Sequence, residues 1–371
     1  MEELLNTVLN LRERDWEYKS GKVFSSMCSN PLEEAWIGYQ LFRDTNALDS
    51  DIFPSVKILE EKVIEEIGEL FAHPEAHGYV GSGGTEGNIF ALWLGRKLFE
   101  GDKVVAPSSV HYSVDKACDL QRLELIKTKL DENYRADVES IKEKVDRETS
   151  SIVVTAGTTA TGVIDPIEEV AEVAEDYDCF LHVDASFGGF VLPFLEKVPT
   201  WNFEVDRVCS IVADPDKMGL VPIPSGVVLV REEKWLDRIN IDAPYLSEVE
   251  PTLLGTRPGG AVASIWVALK HLGFEGYRRK VEKCMNLTDR LAKGIEAIDR
   301  LKLLVEPELN VVSFTSNFIS PSEIYQDLKE EGWLVSLNTQ PESIRLVVMP
   351  HHEPKHVKSF LESLQKYMEG R

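Results

Sequence analysis

Two short apolar runs, each followed by polar residues, place the strongest constraint on how this chain can fold. Cys179 to Val183 and Val208 to Ala213 consist mainly of β-branched and aliphatic residues and stop abruptly in polar turns. Such runs are typical of buried strands in an α/β sheet. Asp184 follows the first run, and Lys217 lies in the turn after the second. Because residues at such strand ends line the ligand crevice, we expect a carboxylate and an amine to face one crevice.

An acid and an amine in one crevice suit a particular cofactor. Pyridoxal phosphate needs an amine that forms a Schiff base at one end and a group that holds a proton on the ring nitrogen at the other. We therefore predict pyridoxal phosphate as the cofactor, with Lys217 as its covalent anchor and Asp184 as the partner of the ring nitrogen. The alternatives are a solvated lysine in a polar turn and an aspartate that caps a helix.

A glycine-rich stretch, Gly81 to Asn88, follows a predicted strand and opens a helix. The backbone N–H groups and the helix dipole of such a turn form an anion site, so we predict that Gly83, Gly84 and Thr85 bind a phosphate. The dinucleotide pattern does not fit because Glu86 occupies the place of the third glycine, and the P-loop pattern does not fit because no Lys precedes a Ser or Thr. The alternative is a tight strand-to-helix turn without a ligand.

Composition excludes several classes of partner. The chain has 371 residues, 43% of them apolar, and a formal net charge of −23. This charge argues against binding to nucleic acid or to an anionic membrane, and no apolar run approaches the length of a membrane span. The five cysteines are odd in number and widely scattered, which favours thiols in a reducing compartment. We expect a cytoplasmic protein.

The pattern along the chain predicts three segments. Residues 1–50 hold two helix-like stretches without a core of their own, so they are expected to pack on another surface. Residues 51–272 alternate helical and strand-like patterns, as in a large α/β domain, and residues 273–371 read as a small C-terminal α+β domain. Two helices are predicted to begin with a capping device of Asp or Ser, then Pro, then Glu: Asp165, Pro166 and Glu168, and Ser320, Pro321 and Glu323.

One apparent metal motif is set aside. His352 to His356 satisfies the H-E-x-x-H spelling of zinc proteases, which requires both histidines on one helix. Pro354 favours the first helical position, so His352 is expected to precede the helix. We predict no metal site.

Together, the glycine turn, Asp184 and Lys217 resemble the group II pyridoxal phosphate-dependent decarboxylases, from the region of Met27 to His351. The family includes glutamate, aromatic amino acid and archaeal tyrosine/aspartate decarboxylases. The resemblance is closest to the archaeal branch through Asp214-Pro215, Lys217-Met218-Gly219, Pro222-Ile223-Pro224, Ala243-Pro244-Tyr245-Leu246, Leu254-Gly255-Thr256-Arg257 and Arg345 to His351. It implies the fold-type-I architecture, a large mixed-sheet domain with helices on both faces and a small C-terminal domain, in a homodimer with shared active sites.

The resemblance also implies roles for residues around the cofactor. His111 matches the histidine that stacks on one face of the ring, and Ser186 matches the small residue on the other face. Thr159 is placed to offer a hydroxyl near the phenolic oxygen, with Thr158 as a close competitor. Thr256 would reach the phosphate of the neighbouring subunit.

Two further residues are candidates for contact with the substrate. Arg345 lies in an alternating strand among apolar residues, where a guanidinium needs a carboxylate partner. That partner is the substrate carboxylate or, alternatively, an internal acid. Tyr245 resembles the mobile-loop tyrosine that returns a proton to Cα, and the alternative is a surface packing residue.

The chain departs from the family at Asp216, where group II decarboxylases carry a histidine directly before the lysine. A carboxylate within about 4–6 Å of a phosphate dianion is repelled unless it is protonated, neutralised or turned away. Our hypothesis is that Asp216 points away from the phosphate and that activity persists.

The resemblance implies decarboxylation of an L-amino acid to the amine and CO₂. L-Tyrosine to tyramine, for methanofuran, and L-aspartate to β-alanine, for coenzyme A, both fit an archaeal enzyme, and glutamate stays open. The alternatives are a carbon–carbon lyase of the sphingosine-phosphate-lyase type and a catalytically impaired paralogue.

Overall fold

The computed structural model describes residues 1–244, 246–247 and 249–370. They form two compact units, one of residues 31–282 and the other of residues 1–30 together with the chain from Lys283 onward. The sequence predicts domain boundaries after residues 50 and 272. These two units do not test those boundaries, which stay a prediction.

The larger unit is built on a seven-stranded mixed sheet. Its strands in chain order are β1 (His77–Gly81), β2 (Lys103–Pro107), β3 (Glu124–Thr128), β4 (Thr149–Thr155), β5 (Phe180–Asp184), β6 (Val208–Ala213) and β7 (Gly226–Val230). The spatial order is β1-β7-β6-β5-β4-β2-β3. Strands β2 to β6 pair in parallel, whereas β7 is antiparallel to both β6 and β1. Every residue of β5 and β6 is buried, which confirms the interpretation of the two apolar runs.

Helices alternate with these strands. In chain order they are α1 (Glu2–Arg12), α2 (Glu33–Leu41), α3 (Pro54–Leu70), α4 (Gly84–Leu98), α5 (Tyr112–Gln121), α6 (Val138–Lys142), α7 (Ile167–Asp176), α8 (Glu233–Leu236), α9 (Gly259–Glu296), α10 (Pro321–Glu330) and α11 (Pro354–Glu369). Helix α9 is interrupted at Gly273, whose φ of 57° is not helical. Within the part of the chain that the structure describes, no helix combines the length and the apolar character that a bilayer crossing requires.

The smaller unit has a four-stranded antiparallel sheet. Its strands are β8 (Leu301–Leu303), β9 (Val311–Ser316), β10 (Ser336–Thr339) and β11 (Glu342–Val347), in the order β10-β11-β9-β8. Phe24 joins this unit from the N-terminal segment: its N–H donates to Leu334 O, and its own carbonyl accepts from Val347 N–H. Its ring lies in the core beside Trp333 and Phe360. The small α+β domain predicted for the C-terminal region is present.

Of the two predicted helix caps, one is confirmed and one is wrong. Ser320 and Glu323 form the complete capping box of α10. Asp165 does not cap α7, because its two carboxylate oxygens instead accept the N–H groups of Ala136 (2.8 Å) and Thr155 (2.7 Å). A buried carboxylate that joins two distant backbone segments cannot also turn to a helix terminus.

The H-E-x-x-H geometry is absent for the expected reason. Helix α11 begins at Pro354 with Glu353 as its N-cap, so His352 precedes the helix. His352 is buried and stacks on Phe24 at 4.0 Å between ring centroids.

Candidate active site

The carboxyl ends of β5 and β6 bring an acid and an amine into one cluster. These strands are parallel neighbours in the sheet, Asp184 ends β5, and the turn after β6 carries Asp214 and Lys217. The Lys217 ammonium lies 3.0 Å from Asp214 Oδ2, and the charges of Asp184 and Lys217 act on each other. The sheet topology therefore brings both groups to the same edge of the sheet, and the prediction that they face one ligand crevice stays a prediction.

Asp184 is a buried carboxylate that its neighbours keep ionised. Its Oδ1 accepts the Ser186 N–H (3.0 Å), and its Oδ2 accepts the Asn88 side-chain amide (2.8 Å). Burial by itself acts to raise the pKa of Asp184, but these hydrogen bonds and the charge of Lys217 outweigh it and lower the pKa. A carboxylate in this state can hold a proton on a basic ring nitrogen.

Lys217 and Asp214 form an ion pair in which the carboxylate is buried and the lysine side chain is partly exposed. Burial acts to lower the pKa of Lys217, but the charges of Asp214 and Asp184 outweigh it and raise the pKa. Burial raises the pKa of Asp214 to about 7, against the opposing effect of Lys217. Among the residues described, Asp214 Oδ1 has no hydrogen-bond partner. The Lys217 amine is therefore paired with a carboxyl group, that of Asp214, whose pKa is close to 7.

The glycine turn forms a cradle at the start of α4. Gly83 has a φ of 140°, and a Cβ there would meet nothing within 4 Å, whereas a Cβ on Gly84 would collide with Ser186 Oγ. The first N–H groups of α4 have no partners within the helix, and Thr85 is only partly buried. Glu86 does not oppose an anion here because its carboxylate turns back to the Ser82 N–H and the Tyr79 hydroxyl.

His111 is the N-terminal cap of α5. Its Nδ1 lies 2.8 Å from Ser113 Oγ and accepts the Ser113 N–H at 3.3 Å. Burial lowers the pKa of His111, so the ring is neutral at physiological pH. A neutral imidazole held at Nδ1 is suited to stack on an aromatic ring.

The two threonines that competed at the turn after β4 differ in their surroundings. Thr158 is fully buried, and its hydroxyl lies 2.9 Å from that of Thr161. Thr159 is only partly buried. The turn is close to the acid, because the Ala156 N–H donates to the Asp184 carbonyl (2.9 Å).

Of the other predicted residues, one lies in the smaller unit, one in the larger unit and one outside the described residues. Arg345 belongs to the smaller unit, where its Nη2 donates to Ser25 O and Ser336 Oγ, both at 2.8 Å. Thr256 is exposed and lies beside the buried Arg257. Tyr245 lies outside the described residues.

Sequence reasoning missed Asn88, Ser113 and His182, which surround Asp184 and His111. Asn88 is part of the glycine-rich stretch and lies one helical turn after Gly84. An amide on the buried face of a predicted helix is the sequence signal that could have identified it as a functional residue. His182 lies inside the apolar run of β5, where it was read as part of a strand. Their common role depends on residues far apart in the chain.

Asp216 is turned into the protein. Its Oδ2 accepts the Ser225 N–H at 3.0 Å, and burial raises its pKa. Gly226, which follows Ser225 in the chain, packs so closely on Gly83 that a Cβ on Gly226 would collide with the Gly83 backbone. Asp216 therefore has a backbone partner of its own, and the hypothesis that it points away from the phosphate stays a prediction.

The glycine turn, the ionised Asp184 and the partly exposed Lys217 amine fit the phosphate, ring nitrogen and aldehyde of pyridoxal phosphate. On a mixed sheet with flanking helices, this combination defines a pyridoxal phosphate-dependent enzyme of fold type I. Comparison with known proteins makes the assignment more specific. Residues 40–317 match the pyridoxal-dependent decarboxylase conserved domain, and the chain belongs to that family.

Relatives and solved structures agree. A protein of Methanothermobacter thermautotrophicus named "Probable L-tyrosine/L-aspartate decarboxylase" is 41% identical, over 94% of this chain and 98% of its own. An L-aspartate/L-glutamate decarboxylase of Pyrococcus horikoshii is 38% identical, over 99% and 97%. The structure of a Burkholderia pseudomallei sphingosine-1-phosphate lyase aligns with a TM-score of 0.90 at 26% identity, over 99% of this chain and 89% of that chain.

A Lactobacillus brevis glutamate decarboxylase aligns with a TM-score of 0.89 at 22% identity, over 98% of this chain and 91% of that chain, and shows the shared fold. The protein is therefore a pyridoxal phosphate-dependent amino-acid decarboxylase.

Proposed function

We propose that this enzyme converts L-aspartate to β-alanine and CO₂, with L-tyrosine to tyramine as the second candidate. Aspartate is the one amino acid that appears in the names of both the Methanothermobacter and the Pyrococcus relatives. The observation that carries the chemistry is the cluster of Lys217, Asp214 and Asp184 at the ends of two adjacent strands.

The cofactor site is proposed from the residues around this cluster. Lys217 holds the cofactor covalently, and Asp184 keeps the ring nitrogen protonated. The N–H groups of Gly83, Gly84 and Thr85 bind the phosphate. When bound, pyridoxal phosphate supplies an electron sink for the electron pair released at Cα as CO₂ leaves.

Three side chains are proposed to orient the ring. His111 packs on one face and Ser186 on the other. Thr159 offers its hydroxyl to the phenolic oxygen, a choice supported by the burial of Thr158 and its contact with Thr161. Ser186 is suited to its role because its N–H binds Asp184 while its hydroxyl lies against Gly84.

Arg345 is proposed to bind the substrate carboxylate. Its Nη2 donates to Ser25 O and Ser336 Oγ, which hold the side chain in place within the smaller unit. Burial lowers the pKa of Arg345, which means that its charge is poorly solvated and favours an anionic partner. Tyr245 is proposed, from the family resemblance alone, to return a proton to Cα.

A homodimer is proposed from the exposed apolar face of α1. None of the residues of α1 is buried, and Leu4, Leu5 and Leu9 are 54–62% exposed. An amphipathic helix with such a face is stabilised by packing on another surface. In this arrangement the exposed Thr256 would contact the phosphate bound by the partner subunit.

The test measures CO₂ release from L-aspartate, L-tyrosine and L-glutamate side by side, with borohydride reduction to trap the cofactor. We expect release from aspartate and a reduced adduct on Lys217, both lost in Lys217→Ala. Lys103→Ala is the matched control, because Lys103 pairs with Asp146 and Glu148 away from the cluster. A β-hydroxy amine is offered as a fourth substrate, and an aldehyde released from it without CO₂ would identify a carbon–carbon lyase. Absence of any adduct on Lys217 would identify an impaired paralogue.

A further inference from the structure

Asn88 lies at the centre of the polar network behind the site. It is fully buried in α4, and its side chain makes three hydrogen bonds of 2.8 Å. They join it to Asp184 Oδ2, Ser113 Oγ and His182 Nε2. No other residue in the described part of the chain is recorded as hydrogen bonded to both Asp184 and Ser113.

Counting donors and acceptors fixes the orientation of the Asn88 amide. An ionised carboxylate only accepts, so the amide nitrogen of Asn88 must face Asp184, and its second hydrogen goes to Ser113 Oγ. The amide oxygen then faces His182 and accepts from His182 Nε2–H. His182 Nδ1 accepts in turn from Ser210 Oγ at 2.7 Å. Each of these polar atoms has a partner of the right kind.

The same count fixes the proton on His111. The Ser113 N–H donates to His111 Nδ1, so this nitrogen is an acceptor. Ser113 Oγ, which accepts from Asn88, lies 2.8 Å from the same nitrogen and therefore donates its own hydrogen to it. Since Nδ1 accepts, the proton of the neutral ring must be on Nε2.

We propose that Asn88 is a positioning residue that couples Asp184 to His111, orienting the carboxylate and holding the imidazole as its Nε2–H tautomer. The inference rests on the proposed roles of those two residues at the cofactor. In this tautomer, His111 offers a hydrogen-bond donor at Nε2 and cannot accept a proton there. A single amide thereby sets the state of the groups proposed for the ring nitrogen and for one ring face.

The first measurement is ¹⁵N NMR of histidine-labelled, full-length protein after the cofactor has been removed. The His111 signals are assigned by their loss in His111→Gln. We expect the Nε2–H tautomer in the wild type and a mixture of tautomers in Asn88→Asp and Ser113→Ala. A wild-type His111 that is protonated on Nδ1, or unchanged tautomers in both variants, would overturn the proposal.

The second measurement is the dissociation constant of pyridoxal phosphate for the same variants. Asn88→Asp replaces a donor to Asp184 by a second carboxylate, so we expect binding at least about tenfold weaker. Ser113→Ala leaves the contact with Asp184 intact and should bind within about threefold of the wild type. Equal affinities for Asn88→Asp and the wild type would refute the coupling to Asp184.

Ser113→Ala also covers the case in which Asn88→Asp does not fold, because it removes a single hydroxyl. Failure of the proposed function has a different signature. It would appear as absence of a cofactor adduct on Lys217 in the wild type, while the tautomer of His111 in the cofactor-free protein is measured independently.

Discussion

Asp184 is ionised because of the groups that surround it. Burial alone would favour the protonated acid, whereas donors from Ser186 and Asn88 and the nearby ammonium of Lys217 favour the carboxylate. Asp214 is also buried, but at this residue the effect of burial dominates and raises the pKa to about 7. Two aspartates at the ends of neighbouring strands therefore differ in pKa, which is lowered for Asp184 and raised for Asp214.

Replacing Asp184 by Asn should reduce kcat for CO₂ release by at least about a hundredfold at saturating cofactor, because a neutral amide does not hold the ring proton. Asp165→Asn is the matched control, since Asp165 is a buried carboxylate with a structural role. We expect Asp165→Asn to lower stability but to retain kcat in the folded fraction. Equal losses of kcat in both variants would contradict the role of Asp184.

Asp216→His tests the departure from the family. Because Asp216 binds the Ser225 N–H, we expect the substitution to leave the affinity for pyridoxal phosphate within about threefold, or ~0.6 kcal/mol. Asp216→Asn, which keeps an acceptor for Ser225, is the control. A manyfold gain in affinity, together with activity that the native protein lacks, would mean that Asp216 impairs the site.

At the scale of elements, a buried ion pair ties the segment around Thr256 to the sheet. The Arg257 guanidinium pairs with Glu60 and donates to Val80 O at 2.9 Å, while Glu60 accepts the Val80 N–H at 2.8 Å. Strand β1 and the Thr256 segment are therefore held by one pair of side chains.

Arg257→Met should lower the free energy of unfolding by about 3–5 kcal/mol, because it leaves the Glu60 carboxylate buried without its partner. Arg278→Met removes the surface pairs with Glu275 and Glu282 and should cost less than about 1 kcal/mol. Urea unfolding of both variants gives the comparison. A loss for Arg257→Met as small as that for Arg278→Met would rule out the pair as an anchor.

At the scale of the whole molecule, both compact units contain histidines, fully or partly buried, whose pKa lies below the ordinary value. Burial lowers the pKa of His182 in the larger unit to about 4 and, in the smaller unit, that of His351 to about 4 and that of His352 to about 2. Below the ordinary histidine pKa of about 6.5, the unfolded chain binds protons that the folded chain does not. Stability is thus fully present above about pH 6.5 and declines toward pH 4.

Each of these histidines should contribute a slope of up to about 1.4 kcal/mol per pH unit within that window. Urea unfolding at pH values from about 7.5 to about 5.5 measures the slope. His351→Gln should reduce it, since one proton fewer is taken up on unfolding. A slope that His351→Gln leaves unchanged would contradict the neutral state of that ring in the folded chain.

Dimer formation is the other property of the whole molecule. Sedimentation of the native protein should show a dimer, and Leu5→Glu with Leu9→Glu should shift it toward monomer because charges then replace the exposed apolar face of α1. Activity should fall with the dimer fraction. A monomeric, fully active wild type would refute the shared active site.

Local patterns were sufficient for much of this protein. The buried strands β5 and β6, the glycine turn before α4, the start of α10 at Ser320 and the positions of Asp184 and Lys217 all follow from residues that are neighbours in the chain. Periodicity, turn chemistry and motif spacing are properties of short segments, so they can be recognised from the sequence alone.

Protonation and hydrogen bonding were not accessible in this way. Asn88 and Asp184 are 96 residues apart, and Asp165 is drawn from its expected cap by backbone groups of two other segments. The charge of a buried group depends on every dipole and ion that the fold brings within a few ångströms. The sequence by itself therefore determines which ionisable groups are present at the ends of these strands. Whether each group carries a proton is decided by the tertiary structure, because the pKa depends on contacts between residues that are far apart in the chain.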